Sequence, residues 1–139
     1  MKKRIFMYVI SSIVILLILA FNFAEKIQEN KPFTSLKMDD VEKIELLAQP
    51  PNTLVEITDR KHLQELIDIL HEVVIYKKDN SWNDYAGQFV QYKITNNNGD
   101  IITIGAFNPF LIIDGVGYKT KYQPCEDLNK LAYKVIDRY

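Results

Sequence analysis

The oxygen-bearing side chains of Asp79, Ser81 and Asn83 alternate along the segment KDNSWNDYAG (78–87), with the spacing of the first three ligands of a calcium-binding loop. Such a loop also needs glycine at its sixth position and a bidentate glutamate at its twelfth. Those positions hold Asp84 and Val90, which excludes calcium coordination of that type. The same residues are turn formers, because their short polar side chains bond the neighbouring backbone. What remains is Trp82 and Tyr85 flanking Asn83 and Asp84. Two amphipathic rings beside polar groups suit a surface for a protein, a peptide or a sugar ring. Trp82, Asn83, Asp84 and Tyr85 are therefore the expected binding residues. The plainer reading of the rings is that they anchor the loop to the core.

Other chemistries find less support. A nucleophile needs a hydroxyl or thiol beside a base. Ser81 lies outside any Gly-x-Ser-x-Gly turn, and His62 and His71 belong to a different element. The two histidines stand nine positions apart on one expected helix, which sends them to opposite sides, so they cannot share a metal from it. Both are expected at the partly solvated boundary of that helix. The single cysteine, Cys125, excludes an intrachain disulfide. A helix start beside it would lower its pKa, whereas burial would make it an inert packing thiol. Asp39-Asp40 and Glu126-Asp127 read as a strand entry and a helix start. Five glycines form no phosphate-cradling loop. No catalytic residue, metal or cofactor is expected.

The positioning elements begin with IFMYVISSIVILLILAFNFA, residues 5–24, which carry no charge. Twenty residues at about 1.5 Å rise span about 30 Å, the thickness of a bilayer's hydrocarbon core. Lys2, Lys3 and Arg4 precede the run and Glu25-Lys26 follow it, so the positive-inside rule keeps the N-terminus in the cytoplasm and places 25–139 outside. An uncleaved signal-anchor is expected. The rival is a cleaved signal peptide, for which the apolar run is long and Asn22 ill-placed before a cut at Ala24. Without the three leading basic residues the chain holds 14 Lys and Arg against 18 Asp and Glu. A mildly acidic domain without a basic stripe is a poor nucleic-acid binder, because phosphate neutralisation supplies most of that affinity.

Residues 25–38 lack periodicity, contain Pro32 and read as a tether that reaches about 45–50 Å when extended. Residues 39–139 read as one domain. Strands are expected over 41–48 and 53–58, turned by Gln49-Pro50-Pro51-Asn52. Asp59 then caps a helix whose apolar stripe is Leu63, Leu66, Ile67, Leu70, Val73 and Val74, with 73–77 able to begin a third strand. Strands over 88–95 and 101–107 flank Asn98-Gly99, a type I′ hairpin signal, and 110–113 and 116–121 flank Asp114-Gly115. A closing helix after Pro124 carries Leu128, Leu131, Ala132, Val135 and Ile136. The order β-β-α-β-β-β-β-α implies an α+β fold: an antiparallel meander with two helices packed on one face, preceded by the transmembrane helix.

The stretches VEKIELLAQPPNTLVEITDRKHLQELIDIL and GAFNPFLIIDGVGYKTKY, with the closing helix, resemble a small extracytoplasmic domain of unknown function from Gram-positive bacteria, found behind a single N-terminal hydrophobic segment. The resemblance implies architecture and location and carries no active site. The functional expectation is a non-enzymatic, membrane-anchored extracytoplasmic domain that binds a protein, peptide or envelope ligand. Its rivals are an envelope hydrolase with carboxylates assembled by the fold, and a secreted inhibitor-like protein.

Overall fold

The computed structural model describes residues 2–26 and 29–138, with side-chain surroundings for 7–20 and 29–138. Its elements are α1 (Lys2–Lys26), β1 (Val41–Gln49), β2 (Thr53–Glu56), α2 (Arg60–Glu72), β3 (Ile75–Lys78), β4 (Phe89–Asn96), β5 (Ile101–Phe107), β6 (Phe110–Ile113), β7 (Val116–Thr120) and α3 (Tyr122–Ile136). The fold is α+β: a seven-stranded antiparallel sheet, in the order β2-β1-β4-β5-β6-β7-β3, with α2 and α3 packed on it. Strands β4 to β7 run as a meander. The expected order lacked one strand. Ile75–Lys78 pairs with β7 at the far edge, so α2 carries the chain from the β2 edge to the opposite one.

The two expected hairpin signals part company. Asp114 and Gly115 both take positive φ, at 48° and 82°, and form a tight type I′ connection between β6 and β7. At Asn98-Gly99 only Gly99 is left-handed, with φ 87°. Gly99 N–H donates to Asn96 O and Asn96 N–H to Asp100 O, both at 2.8 Å, so a longer loop with the glycine in the bulge position replaces the expected turn. The α2 cap is as the sequence implies: Asp59 Oδ1 accepts from Lys61 N–H at 2.8 Å.

Apolar positions of alternate pairs line one face of the sheet. Ile44 opposes Ile94, Leu46 opposes Tyr92, and Tyr92 opposes Ile104, all buried beneath Leu66 and Leu70 of α2 and Leu128, Leu131 and Ala132 of α3. The Tyr92 hydroxyl is satisfied inside this core by donating to Leu128 O at 2.6 Å. His62, expected at the solvated margin, is instead 2% exposed, with Nδ1 3.7 Å from Asp59 Oδ2 and no hydrogen-bond partner for Nε2 among the described residues. His71 is half-buried and fixes a neighbouring segment through Nε2 and Leu36 O at 2.7 Å.

That segment is the second half of the expected tether. Asn30 forms a two-bond bridge with Ile75, at 3.0 and 2.8 Å, and Phe33 is buried at 4% exposure while Leu36 packs beside it. Residues 30–38 therefore belong to the folded body. An apolar ring and a strand edge with free backbone groups together outweigh the freedom of a short polar linker.

Residues 7–20 of α1 are exposed throughout. Among the described residues no helix is long and apolar enough to cross a membrane. The transmembrane expectation for 5–24 is corrected to that extent. The side chains of residues 5, 6 and 21–24 of that expected span lie outside the described residues.

Candidate functional site

The loop 79–88 crosses the sheet face opposite the helices. Gly105, Ile112 and Gly117 pair in a row across β5, β6 and β7, one step out of phase with the core positions. A Cβ on Gly117 would collide with the Asp79 carbonyl and the Trp82 ring. A Cβ on Gly105 would sit 2.7 Å from the Phe89 ring. The glycines thus open a floor on which Trp82 and Phe89 lie, stacked at 6.3 Å and 10°. Backbone bonds fasten the loop: Asp79 N–H donates to Gly117 O at 2.8 Å, and Gly117 N–H to Asn80 Oδ1 at 2.7 Å. Asp79 accepts from Ser81 N–H at 2.9 Å and lies 3.5 Å from Lys119 Nζ. Its bonds from Ser81, joined by the Lys119 charge, hold its carboxyl below the ordinary value.

Among the four expected binding residues, Trp82 turns inward and is half-buried, its Nε1 lacking an acceptor among the described residues. Asn83 and Asp84 are exposed on the 3₁₀ turn Ser81–Asp84. Tyr85 is 62% exposed, with its ring 5.9 Å from that of Phe110. The four therefore form no single surface. Trp82 anchors, and Tyr85 stands at the mouth of a cleft that the sequence reading did not foresee.

The cleft has a volume of about 440 Å³ and lies where the loop, the β5–β6 turn, β7 and the start of α3 meet. Tyr85, Phe107 and Phe110 supply aromatic wall, and Lys119 Nζ sits 4.0 Å over the Phe110 ring. Asn108, Glu126 and Asn129, with Gln88 and Lys119, supply the polar lining. Asn108 Nδ2 donates weakly to Glu126 Oε2 at 3.4 Å, and Asn129 Nδ2 donates to Cys125 O at 3.0 Å. Their amide oxygens are left over: Asn108 Oδ1 and Asn129 Oδ1 are both buried without a donor among the described residues. Orphaned acceptors of this kind are uncommon in folded proteins, and each costs about 1–3 kcal/mol. Both belong to residues that line the cleft; among the described residues His62 Nε2, Trp82 Nε1 and Asn96 Oδ1 are in the same state elsewhere.

Cys125 lies one turn below Asn129, fully buried, with Sγ donating to Phe110 O at 3.4 Å. Burial, aided by the Glu126 charge, pushes its thiol up to about 12, so packing prevails over the helix start and the sulfur is no nucleophile at neutral pH. Glu126 is the carboxylate of the cleft lining. Among the described residues no group of three or more His, Cys, Asp or Glu side chains is placed to hold a metal ion.

One signal in the sequence did point to this place. Asn129 is a polar residue inside the apolar stripe Cys125, Leu128, Leu131 and Ala132, where an unpaired amide is costly. The contribution of Asn108 was hidden, because Asn-Pro reads as a strand break whatever its tertiary neighbours. No protein-family model matches the chain, and no curated protein or solved structure is detectably similar to it.

Proposed function

We propose that this chain is a membrane-anchored, extracytoplasmic binding domain without enzymatic activity, and that it holds its ligand in the cleft beside Tyr85. The observation that carries the binding role is the pair of orphaned amide oxygens, Asn108 Oδ1 and Asn129 Oδ1, in an aromatic-walled cleft. A preformed cleft with mostly apolar walls and a few convergent polar groups is the usual form of a ligand site. Glu126 has no second carboxylate beside it among the lining residues, which favours binding over paired acid–base chemistry. Anchoring is supported by the uncharged run 5–24, by its basic leading flank, and by the uniform exposure of apolar side chains over 7–20. The resemblance to anchored Gram-positive domains agrees with that address.

Two measurements test the reading. Protease treatment of intact cells should degrade 30–139 while the chain stays with the membrane fraction; recovery of the intact chain from the soluble cytosol defeats the anchor. A photo-crosslinking residue placed at Tyr85 should capture a cell-envelope partner that the same group at Leu54, exposed on the far sheet edge, does not. Equal capture at both sites, or none at Tyr85, defeats the cleft.

A further inference from the structure

The acceptors that the cleft's residues leave unanswered bear on its occupant. Asn108, Glu126 and Asn129 all present acceptors: Asn108 touches Glu126 at 3.4 Å, and Asn129 lies one helical turn after Glu126 on the same side of α3. Asn129 is 8% exposed, and the oxygens of both asparagines have no donor. Carbonyl dipoles closed off from water and left unanswered give the floor a negative potential that solvent does not screen. Lys119 lines the cleft too, but its ammonium is turned to Asp79 at 3.5 Å and to the Phe110 ring, and Lys130 reaches Glu126 only at 4.0 Å from an exposed position. An anion is therefore disfavoured here. A neutral hydroxyl would satisfy one acceptor at most.

We propose that the cleft binds a primary ammonium group carried by a peptide, with its three N–H donors divided among Asn108 Oδ1, Asn129 Oδ1 and the Glu126 carboxylate. An ammonium has three donors and no acceptor, the complement of these three acceptors. The ring of Tyr85 covers its charge as an aromatic face covers a cation. Entry requires the side chains over the two amide oxygens to give way slightly, and the removed orphan costs offset that movement. The inference rests on the cleft being the binding site, and it adds the chemical class of the ligand.

The test uses the full chain in detergent micelles with three short peptides. The first has a blocked N-terminus and one lysine; the second is the same with the lysine acetylated; the third has a free N-terminus and no lysine. Calorimetry should show binding of the first or the third, identifying a side-chain or terminal amine, and at least tenfold weaker binding of the acetylated form. Glu126→Gln should weaken the binding peptide about tenfold, as expected for loss of a charge-assisted hydrogen bond. Asn129→Leu should abolish binding while leaving the thermal midpoint unchanged or raised, because it removes an orphan. Equal affinity for free and acetylated lysine, or no binding of any peptide at millimolar concentration, overturns the ammonium assignment. Continued crosslinking from Tyr85 in that event shows that the cleft reading survives and only the ligand class fails.

Discussion

The helix-free face of the sheet is finished in two different ways. Over β2, β1 and β4 it carries an ion-pair ladder: Lys43 lies 3.3 Å from Glu45 and 3.6 Å from Glu56, and Lys93 lies 3.1 Å from Glu45. Over β5, β6 and β7 it carries the glycine floor and its aromatic cover, Trp82 on Phe89. The first half is closed by solvated charge, the second by a segment of the chain itself. Surface ion pairs contribute little to stability and weaken in salt, whereas buried ring area contributes steadily. The difference teaches that a loop rich in turn formers can serve as a third layer when glycines make room for one large ring.

The contrast breaks most visibly at Trp82. Trp82→Ala should cost about 2–4 kcal/mol, because it strips the cover from Gly117 and removes the ring stacked on Phe89. Urea unfolding measures it, and a loss below about 0.5 kcal/mol would show that the loop is not a packed layer. Gly117→Ala comes next, at about 1–3 kcal/mol, since the added methyl must displace the Asp79 carbonyl and the indole. Combined with Trp82→Ala it should cost less than the sum, as the clash is partly gone; full additivity would argue against direct contact.

Acid sharpens the comparison without removing a side chain. The carboxyls of Asp79 and Glu45 are both depressed in the folded state, so their stabilisation is complete above their ordinary values, 3.8 and 4.5, and is lost as pH falls through the lower folded values. Their causes differ: Asp79 is held first by Ser81, Glu45 by Lys93 and Lys43. High salt should therefore flatten the acid sensitivity that Glu45→Gln removes and leave that of Asp79→Asn largely in place. The same response to salt in both variants would erase the distinction. The smallest effect is Glu45→Gln at neutral pH and physiological salt, where the thermal midpoint should stay within measurement error. A clear drop would mean that the ladder is more than a solvated surface.

The fold was legible where its causes are local. Period-two alternation marks β1, β4 and β5, the Asp59 cap and apolar stripe mark α2, and Asp114-Gly115 marks its hairpin. What depended on distant partners was hidden. The start of a third strand at 73–77 could be read, but not its partner β7, more than forty positions along the chain for Ile75 and Thr120. Trp82 points inward because Gly117 lacks a side chain, and neither residue announces the other. His62 is buried although its neighbours on the helix are charged. Of the residues that line the cleft, only Tyr85 was among the expected binding residues. The cleft assembles residues from four elements, and of these only Asn129 breaks a local pattern.

The bridge between Asn30 and Ile75 fixes where the folded body begins. Helix α1 ends at Lys26, so residues 27–29 alone separate it from that fixed point, at most about 14 Å of fully stretched chain. On the anchoring proposed above, the folded body would begin no farther than that from the end of α1, and a ligand would be met close to the lipid surface.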